Sequence, residues 1–241
     1  MRNAEAWAPS KFETDAGTSW RASRTEVPIT SRLIVDIVAA AYCEAIAAHA
    51  SGRLADLGCG KVPLYGMYRN KVTEVTCIDW PGSLHGSLHV DLFADLNRPL
   101  DLIPDSFDTV IATDVIEHLH TPGALFASSY NALKSGGKLI IGVPFFYWVH
   151  EAPHDFYRYT RFALEKFAID AEFTSISVTA LAGAPEILSD IATKALVSRP
   201  RLARIVYTLS RAVLWLPSVK RLSARTREAM PMGYVLVAQK P

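Results

Sequence analysis

Short apolar runs punctuate this chain, and helical stretches separate most of them. The runs cover 54–57, 74–79 (EVTCID), 107–113 (FDTVIAT), 138–144 (KLIIGVP), 173–180 (FTSISVTA) and 233–239 (GYVLVAQ). Residues 29–49 are Ala-rich with apolar positions at helical spacing. Residues 121–137 open on Thr121-Pro122 and close on Gly136-Gly137, and 160–171 form a further helical stretch. Strands that alternate with helices lie mostly parallel, because a parallel neighbour needs a crossover and the helix supplies it. The expected fold is therefore α/β, a doubly wound, Rossmann-like sheet. Ligands of such a sheet sit at the carboxyl ends of strands, where strand order switches.

The 241 residues, half of them apolar, suffice for one such domain. Residues 1–27 have no period and read as a flexible N-terminal arm, leaving 28–241 as a single domain. Residues 181–232 break the alternation and read as a helical insertion before the last strand. A net charge of +1 gives no nucleic-acid signal. Cys43, Cys59 and Cys77 form neither a metal spacing nor an even disulfide set, which suits a reducing, cytoplasmic setting. No secretory h-region and no membrane-length apolar stretch are present, so the expected protein is soluble or bound to a membrane surface only.

The first run ends in Asp56-Leu57-Gly58-Cys59-Gly60, where a ligand can approach the backbone closely. Val62 and Pro63 then stand where a dinucleotide loop places its third glycine. Pro63 removes an N–H that a pyrophosphate would use. The second run ends in Asp79, placed to accept both hydroxyls of a ribose. Trp80 and Asp91-Leu92 (in HVDLFADL) are placed to meet an adenine. The plainer reading makes Asp79 and Asp91 ordinary strand-end acids that cap helices.

Together, LADLGCGKVPLY, CIDW, VDL and DSFDTVIATDVIEHLHTPGALFASSYNALKSGGKLIIGVP resemble the class I S-adenosylmethionine-dependent methyltransferases, in particular the small bacterial type 11 subgroup. The resemblance spans about residues 30–180 and the last strand. It implies a seven-stranded sheet with an antiparallel last strand, and S-adenosyl-L-methionine as cofactor. It also implies roles: Asp56, Leu57, Gly58, Cys59 and Gly60 around the methionine part, Asp79 on the ribose and Trp80 on adenine. Asp91 and Leu92 would meet the adenine edge, and Thr113 and Asp114 the methionine end.

Two clusters could supply a base. In DVIEHLH (114–120), His118 lies at the cofactor end. Asp114, Glu117 and His118 are also similar to a pattern that holds a divalent ion in ubiquinone-pathway O-methyltransferases, although capping and packing explain them without a metal, and no metal is expected. In FFYWVHEAPHDFYRYT (145–160), His154 and Asp155 read as a base and its orienting partner. Tyr147, His150, Tyr157 and Arg158 read as acceptor-binding residues, since aromatic faces beside ionisable tips suit a polyhydroxylated acceptor.

From Arg199 to Arg227 there are eight basic residues and no acidic one, with Leu202, Ile205, Val206, Leu209, Val213 and Leu216 on one helical face. Three readings stand: a core-facing helix with a solvated basic face, an interfacial helix on anionic lipid at the inner membrane face, and a homodimer contact. The function expected is methyl transfer to a hydroxyl of a small-molecule, glycan or lipid-linked acceptor. The rivals are an NAD-dependent oxidoreductase and a non-catalytic cofactor-binding scaffold docked on membranes.

Overall fold

A computed structural model describes residues 1–14 and 19–241. After a hairpin of β1 (Phe12–Thr14) and β2 (Trp20–Ala22) come α1 (Arg32–His49), β3 (Gly52–Leu57), α2 (Tyr65–Tyr68), β4 (Val72–Asp79) and β5 (Leu92–Phe93). The chain continues through β6 (Phe107–Thr113), α3 (Pro122–Ala132), β7 (Leu133–Pro144), α4 (Arg161–Asp170) and β8 (Thr174–Leu181). Helices α5 (Ala184–Lys194), α6 (Pro200–Leu214) and α7 (Pro217–Thr226) precede the last strand, β9 (Gly233–Gln239).

The main sheet has seven strands in the order β5-β4-β3-β6-β7-β9-β8. Its ladders are parallel except those of β9, which runs antiparallel to both β7 and β8. The chain steps from β3 outward to β4 and β5, then returns to β6 on the other side of β3. The cleft between the ends of β3 and β6 is thus the switch point.

Neighbouring residues of the central strands point to opposite faces, as the two-residue period requires. Ala55, Val110 and Leu139 join the core under α3 and α4. Leu54, Ile111 and Ile140 join the core under α1 and α2. Three sequence expectations need correction. Residues 1–14 and 19–27 are not a loose arm, because Phe12 is fully buried in the second core and the Met1 amine donates to the Val75 carbonyl at 2.5 Å. Trp7 caps the first loop, its Nε1 donating to the Val62 carbonyl at 2.9 Å. A hairpin this short leaves no periodic trace. Residues 15–18 of the expected arm lie outside the described residues.

The second correction concerns Gly136-Gly137, which does not end a helix. Helix α3 stops at Ala132, and Leu133 pairs with Phe107 at the start of β7. Lys138 then pairs with Thr109, so 134–137 form a bulge in the strand. Third, of the three readings of α6 the core-facing one is not met, because Ala203 is its one buried residue.

Gly142 shows how tightly the sheet meets α1. The Tyr42 side chain lies on it, and any Cβ at that position would overlap the Tyr42 ring. Gly142→Ala is therefore expected to lower stability by about 1–3 kcal/mol, the range for overpacking a filled core. Denaturant titration checks this, and a wild-type midpoint would refute the packing argument.

Candidate functional site

Two cavities open at the carboxyl edge of the sheet. The first lies at the switch point, lined by Gly58, Asp79, Trp80, Leu96, Asn97 and Val115, among others. The second lies between α1 and the segment after β7, lined by Ile34, Val35, Val38, Lys11, Glu117, Tyr147, His150 and Met232, among others. Asp114, His118 and Glu151 line both, so the cavities share one wall.

The first cavity is shaped by the turn after β3. Gly58 has φ 70°, a left-handed value that favours glycine. A Cβ there would come within 2.5 Å of Val115. The Gly60 N–H donates to Asp79 Oδ2 at 2.8 Å, and the Trp80 N–H donates to Asp79 Oδ1 at 2.8 Å. Each carboxylate oxygen has two lone pairs. One on each is left, which suits a vicinal diol. Trp80 is 43% exposed, and its ring lies 5.4 Å from that of His154. A carboxylate with lone pairs to spare, a bare glycine and an open indole fit the ribose, methionine and adenine parts of S-adenosylmethionine.

Not every expected residue reaches this cleft. Asp56 and Leu57 are buried beneath the loop, Cys59 packs in the second core, and Thr113 lines neither cavity. Asp91 and Leu92 are also absent from the lining. Asp91 instead accepts from the Cys77 N–H at 2.8 Å and lies 3.3 Å from the Met1 amine. Strand β5 is two residues long and begins at Leu92, so Asp91 sits at its entry. The second Asp-Leu pair in the same stretch, Asp95-Leu96, lies past its carboxyl end and lines the cleft.

Asp114 forms the shared wall with φ 54°. Its carboxylate is divided between Lys11 Nζ at 2.5 Å and the Tyr42 hydroxyl at 2.8 Å. Burial works against the Lys11 charge, but Asp114 outweighs it and holds the Lys11 pKa above its ordinary value. Asp114 is thereby committed to Lys11 and Tyr42, and it is not a member of the cluster that Glu117 and His118 form. Glu117, His118 and His150 assemble instead, each offering a ligating atom within 4.8 Å of the others. Glu117 is fully buried, and neither carboxylate oxygen has a hydrogen-bond partner in this structure. Burial, then the nearby Asp114 charge, pushes its pKa well up.

His118 Nδ1 lies 2.7 Å from the His154 carbonyl, which can only accept. Nδ1 therefore carries the proton in the neutral ring, and Nε2 is left with its lone pair. The His118 and His150 rings are 4.7 Å apart. Burial, then His118, lowers the His150 pKa.

The expected His154–Asp155 pair is not formed. Asp155 takes a two-pronged contact from Arg158, at 2.6 and 2.8 Å, and accepts from the His150 N–H at 2.9 Å. The Arg158 contacts hold its carboxyl far below the usual range. His154 faces the first cavity with Trp80, whereas Tyr157 and Arg158 line neither cavity. Arg158 serves the loop, donating also to the Trp148 carbonyl at 3.0 Å. Tyr147 and His150 do line the second cavity. Sequence reasoning missed Lys11, which carried no motif, and Asp95-Leu96, which repeats one.

Residues 55–141 match a family described as "Methyltransferase domain". A "Ubiquinone biosynthesis O-methyltransferase" from Xanthomonas euvesicatoria is 28% identical over 54% of this chain and 58% of that protein. Phosphoethanolamine N-methyltransferase 2 of Haemonchus contortus, solved with S-adenosyl-L-methionine, is similar in fold (TM-score 0.53, 19% identity, 83% of this chain and 52% of that one). A "SAM dependent methyltransferase" from Archaeoglobus fulgidus has TM-score 0.54 at 16% identity, over 88% of this chain and 93% of that one. The chain thus spans little more than half the length of the first two.

Asp56 supplies a test of the buried floor beneath the loop. Its Oδ2 accepts from the Tyr68 hydroxyl at 2.9 Å, yet burial pushes its carboxyl up to about 7. The folded protein then binds this proton more tightly than the unfolded chain. The contribution to stability is complete below the ordinary value of 3.8 and falls as pH rises towards 7. Asp56→Asn keeps an acceptor for Tyr68 and removes the titration. Its stability relative to wild type is expected to rise between pH 4 and 7, by at most on the order of 4 kcal/mol. Paired thermal melts across that range check this, and a constant difference would contradict it.

Proposed function

We propose that this chain, whose residues 55–141 match the methyltransferase-domain family, is a class I S-adenosylmethionine-dependent methyltransferase that transfers a methyl group to a hydroxyl of an acceptor held in the second cavity. The observation that carries the reading is the wall shared by the two cavities, which bears Asp114 and His118. The cofactor supplies a methyl group already activated on a sulfonium, so the protein's work is alignment and proton removal. Asp79 holds the ribose diol, Gly58 lets the ligand lie close to the loop, and Trp80 covers adenine. His118 takes the hydroxyl proton at Nε2, while its Nδ1–H stays on the His154 carbonyl.

The Xanthomonas relative is named for O-methylation, which supports oxygen as the nucleophile. The second cavity has an apolar side, from Ile34, Val35 and Val38 of α1, and a polar side, from Lys11, Tyr147 and His150. That division favours a lipid-linked or otherwise apolar-bodied acceptor over a free glycan. A lipid-linked acceptor would be met at a membrane surface, on which α6 bears.

One observation supports a second reading of the trio. Glu117 Oε1 lies 3.8 Å from Nε2 of both His118 and His150, with no hydrogen bond to either. These three would hold a divalent cation, which would supply Lewis-acid polarisation of the acceptor oxygen.

Calorimetric titration tests the cofactor first. S-adenosylhomocysteine is expected to bind and NAD not to, and Asp79→Ala is expected to weaken S-adenosylhomocysteine by roughly tenfold or more, the scale of a lost charge-assisted contact. Binding of NAD alone would overturn the reading. Mass spectrometry of lipids and glycans from a deletion strain is expected to reveal the acceptor as a species lacking one methyl. With it, His118→Ala is expected to lower kcat by about 10²–10⁴-fold while leaving S-adenosylhomocysteine affinity near wild type. Loss of activity on chelation, restored by a divalent cation, would favour the second reading instead.

A further inference from the structure

Helix α6 turns its apolar stripe away from the protein. Its inner seam is Ala203, Tyr207, Ser210 and Leu214, with Ala203 fully buried and the Tyr207 hydroxyl 3.4 Å from Asp36 Oδ2 on α1. One hundred degrees per residue puts Leu202, Ile205, Leu209 and Val213 on a different sector, and Leu216 follows just past the end of the helix. These five are 40–60% exposed, and Trp215 beside them is 70% exposed. A continuous apolar patch of this kind on a surface marks a docking site.

The charge around the stripe says what docks there. Arg201 borders it, Arg204 and Arg211 lie further round the same side of the helix, with Arg211 5.7 Å from the centre of the Tyr207 ring, and the stretch from Arg199 to Arg227 holds eight cations and no acid. Among the described residues, none of the eight pairs with a carboxylate. Lys220 instead lies over the Trp215 ring, 4.2 Å from its centre. A second copy of the chain is a poor occupant, because a symmetric contact would set these cations against the same cations. No described helix is long and apolar enough to cross a membrane. An amphipathic helix with an open apolar face and flanking arginines lies in the plane of a lipid surface.

We infer that α6 docks this protein on an anionic lipid bilayer, with the stripe in the acyl boundary and the arginines on lipid phosphates. The inference does not depend on methyl transfer. It does bear on it, because Asp36, which receives Tyr207, lies on α1 between Val35 and Val38 of the second cavity. The helix that docks is thus one helix away from the cavity proposed for the acceptor.

Vesicle cosedimentation tests this. The 241-residue chain is expected to bind phosphatidylglycerol-containing vesicles, to bind pure phosphatidylcholine vesicles at least tenfold more weakly, and to be released by salt. The triple variant Arg201→Ala, Arg204→Ala, Arg211→Ala is expected to lose roughly 100-fold in partitioning. Leu209→Glu is expected to lose a similar factor through the apolar half of the contact. Both should keep wild-type melting and S-adenosylhomocysteine binding, which separates a failed docking face from a failed cofactor site. Absence of binding to anionic vesicles, or equal binding by both variants, would overturn the inference. So would a dimer in sedimentation equilibrium that Leu209→Glu dissociates, because the stripe would then belong to a second copy.

Discussion

The Asp114 carboxylate is the point on which the site depends. It sits in a left-handed conformation, φ 54°, just past the end of β6. Such a residue persists only where its surroundings hold it. Here its N–H donates to the Gly142 carbonyl on β7, its Oδ1 takes the Tyr42 hydroxyl from α1, and its Oδ2 takes Lys11 from the N-terminal segment. The same Gly142 leaves room for the Tyr42 ring. One glycine therefore lets α1 approach the sheet, and that approach fixes the acid that divides the cavities. Beside it the fully buried Glu117 carboxyl has no hydrogen bond and lies 3.8 Å from Nε2 of both His118 and His150.

The alternation of apolar runs and helical stretches was enough to read a mostly parallel sheet, and Asp79 and Trp80 stand where their position after the second of those runs placed them. Errors arose where one pattern admitted two registers. HVDLFADL contains two Asp-Leu pairs four residues apart, and only the length of β5 decides which follows the strand. A two-residue strand leaves no periodic signal. His154-Asp155 looks like a base and its partner because they adjoin in sequence, but adjacent side chains in an extended loop diverge. Asp155 then meets Arg158 and the backbone of His150 instead. The arm from residue 1 was unreadable for a different reason: its contacts, Met1 to Val75 and Lys11 to Asp114, join residues far apart in the chain.

Helix α6 shows the limit of a hydrophobic period. The spacing of Leu202, Ile205, Leu209 and Val213 identifies a helix and its apolar stripe, but a period has no inside. The inner face was decided by small residues, because Ala203 and Ser210 allow close packing against the helices beneath, and by Tyr207, whose hydroxyl reaches Asp36. The larger apolar residues were left outside.

Val62 joins the arm to the cofactor loop. It stands in the place of a third glycine and holds φ 51°, a conformation that a β-branched residue rarely adopts. Its N–H donates to the Cys59 carbonyl at 2.7 Å, and its own carbonyl accepts from Trp7 and from the Tyr65 N–H. The backbone thus keeps the turn that glycine would allow, with strain on the order of 1–3 kcal/mol. The fully buried Val62 side chain and the Trp7 contact offset that strain. The arm therefore supports the site twice, through Trp7 on the loop and Lys11 on Asp114. A segment that carries no motif of its own holds both the floor of the first cavity and the wall between the two.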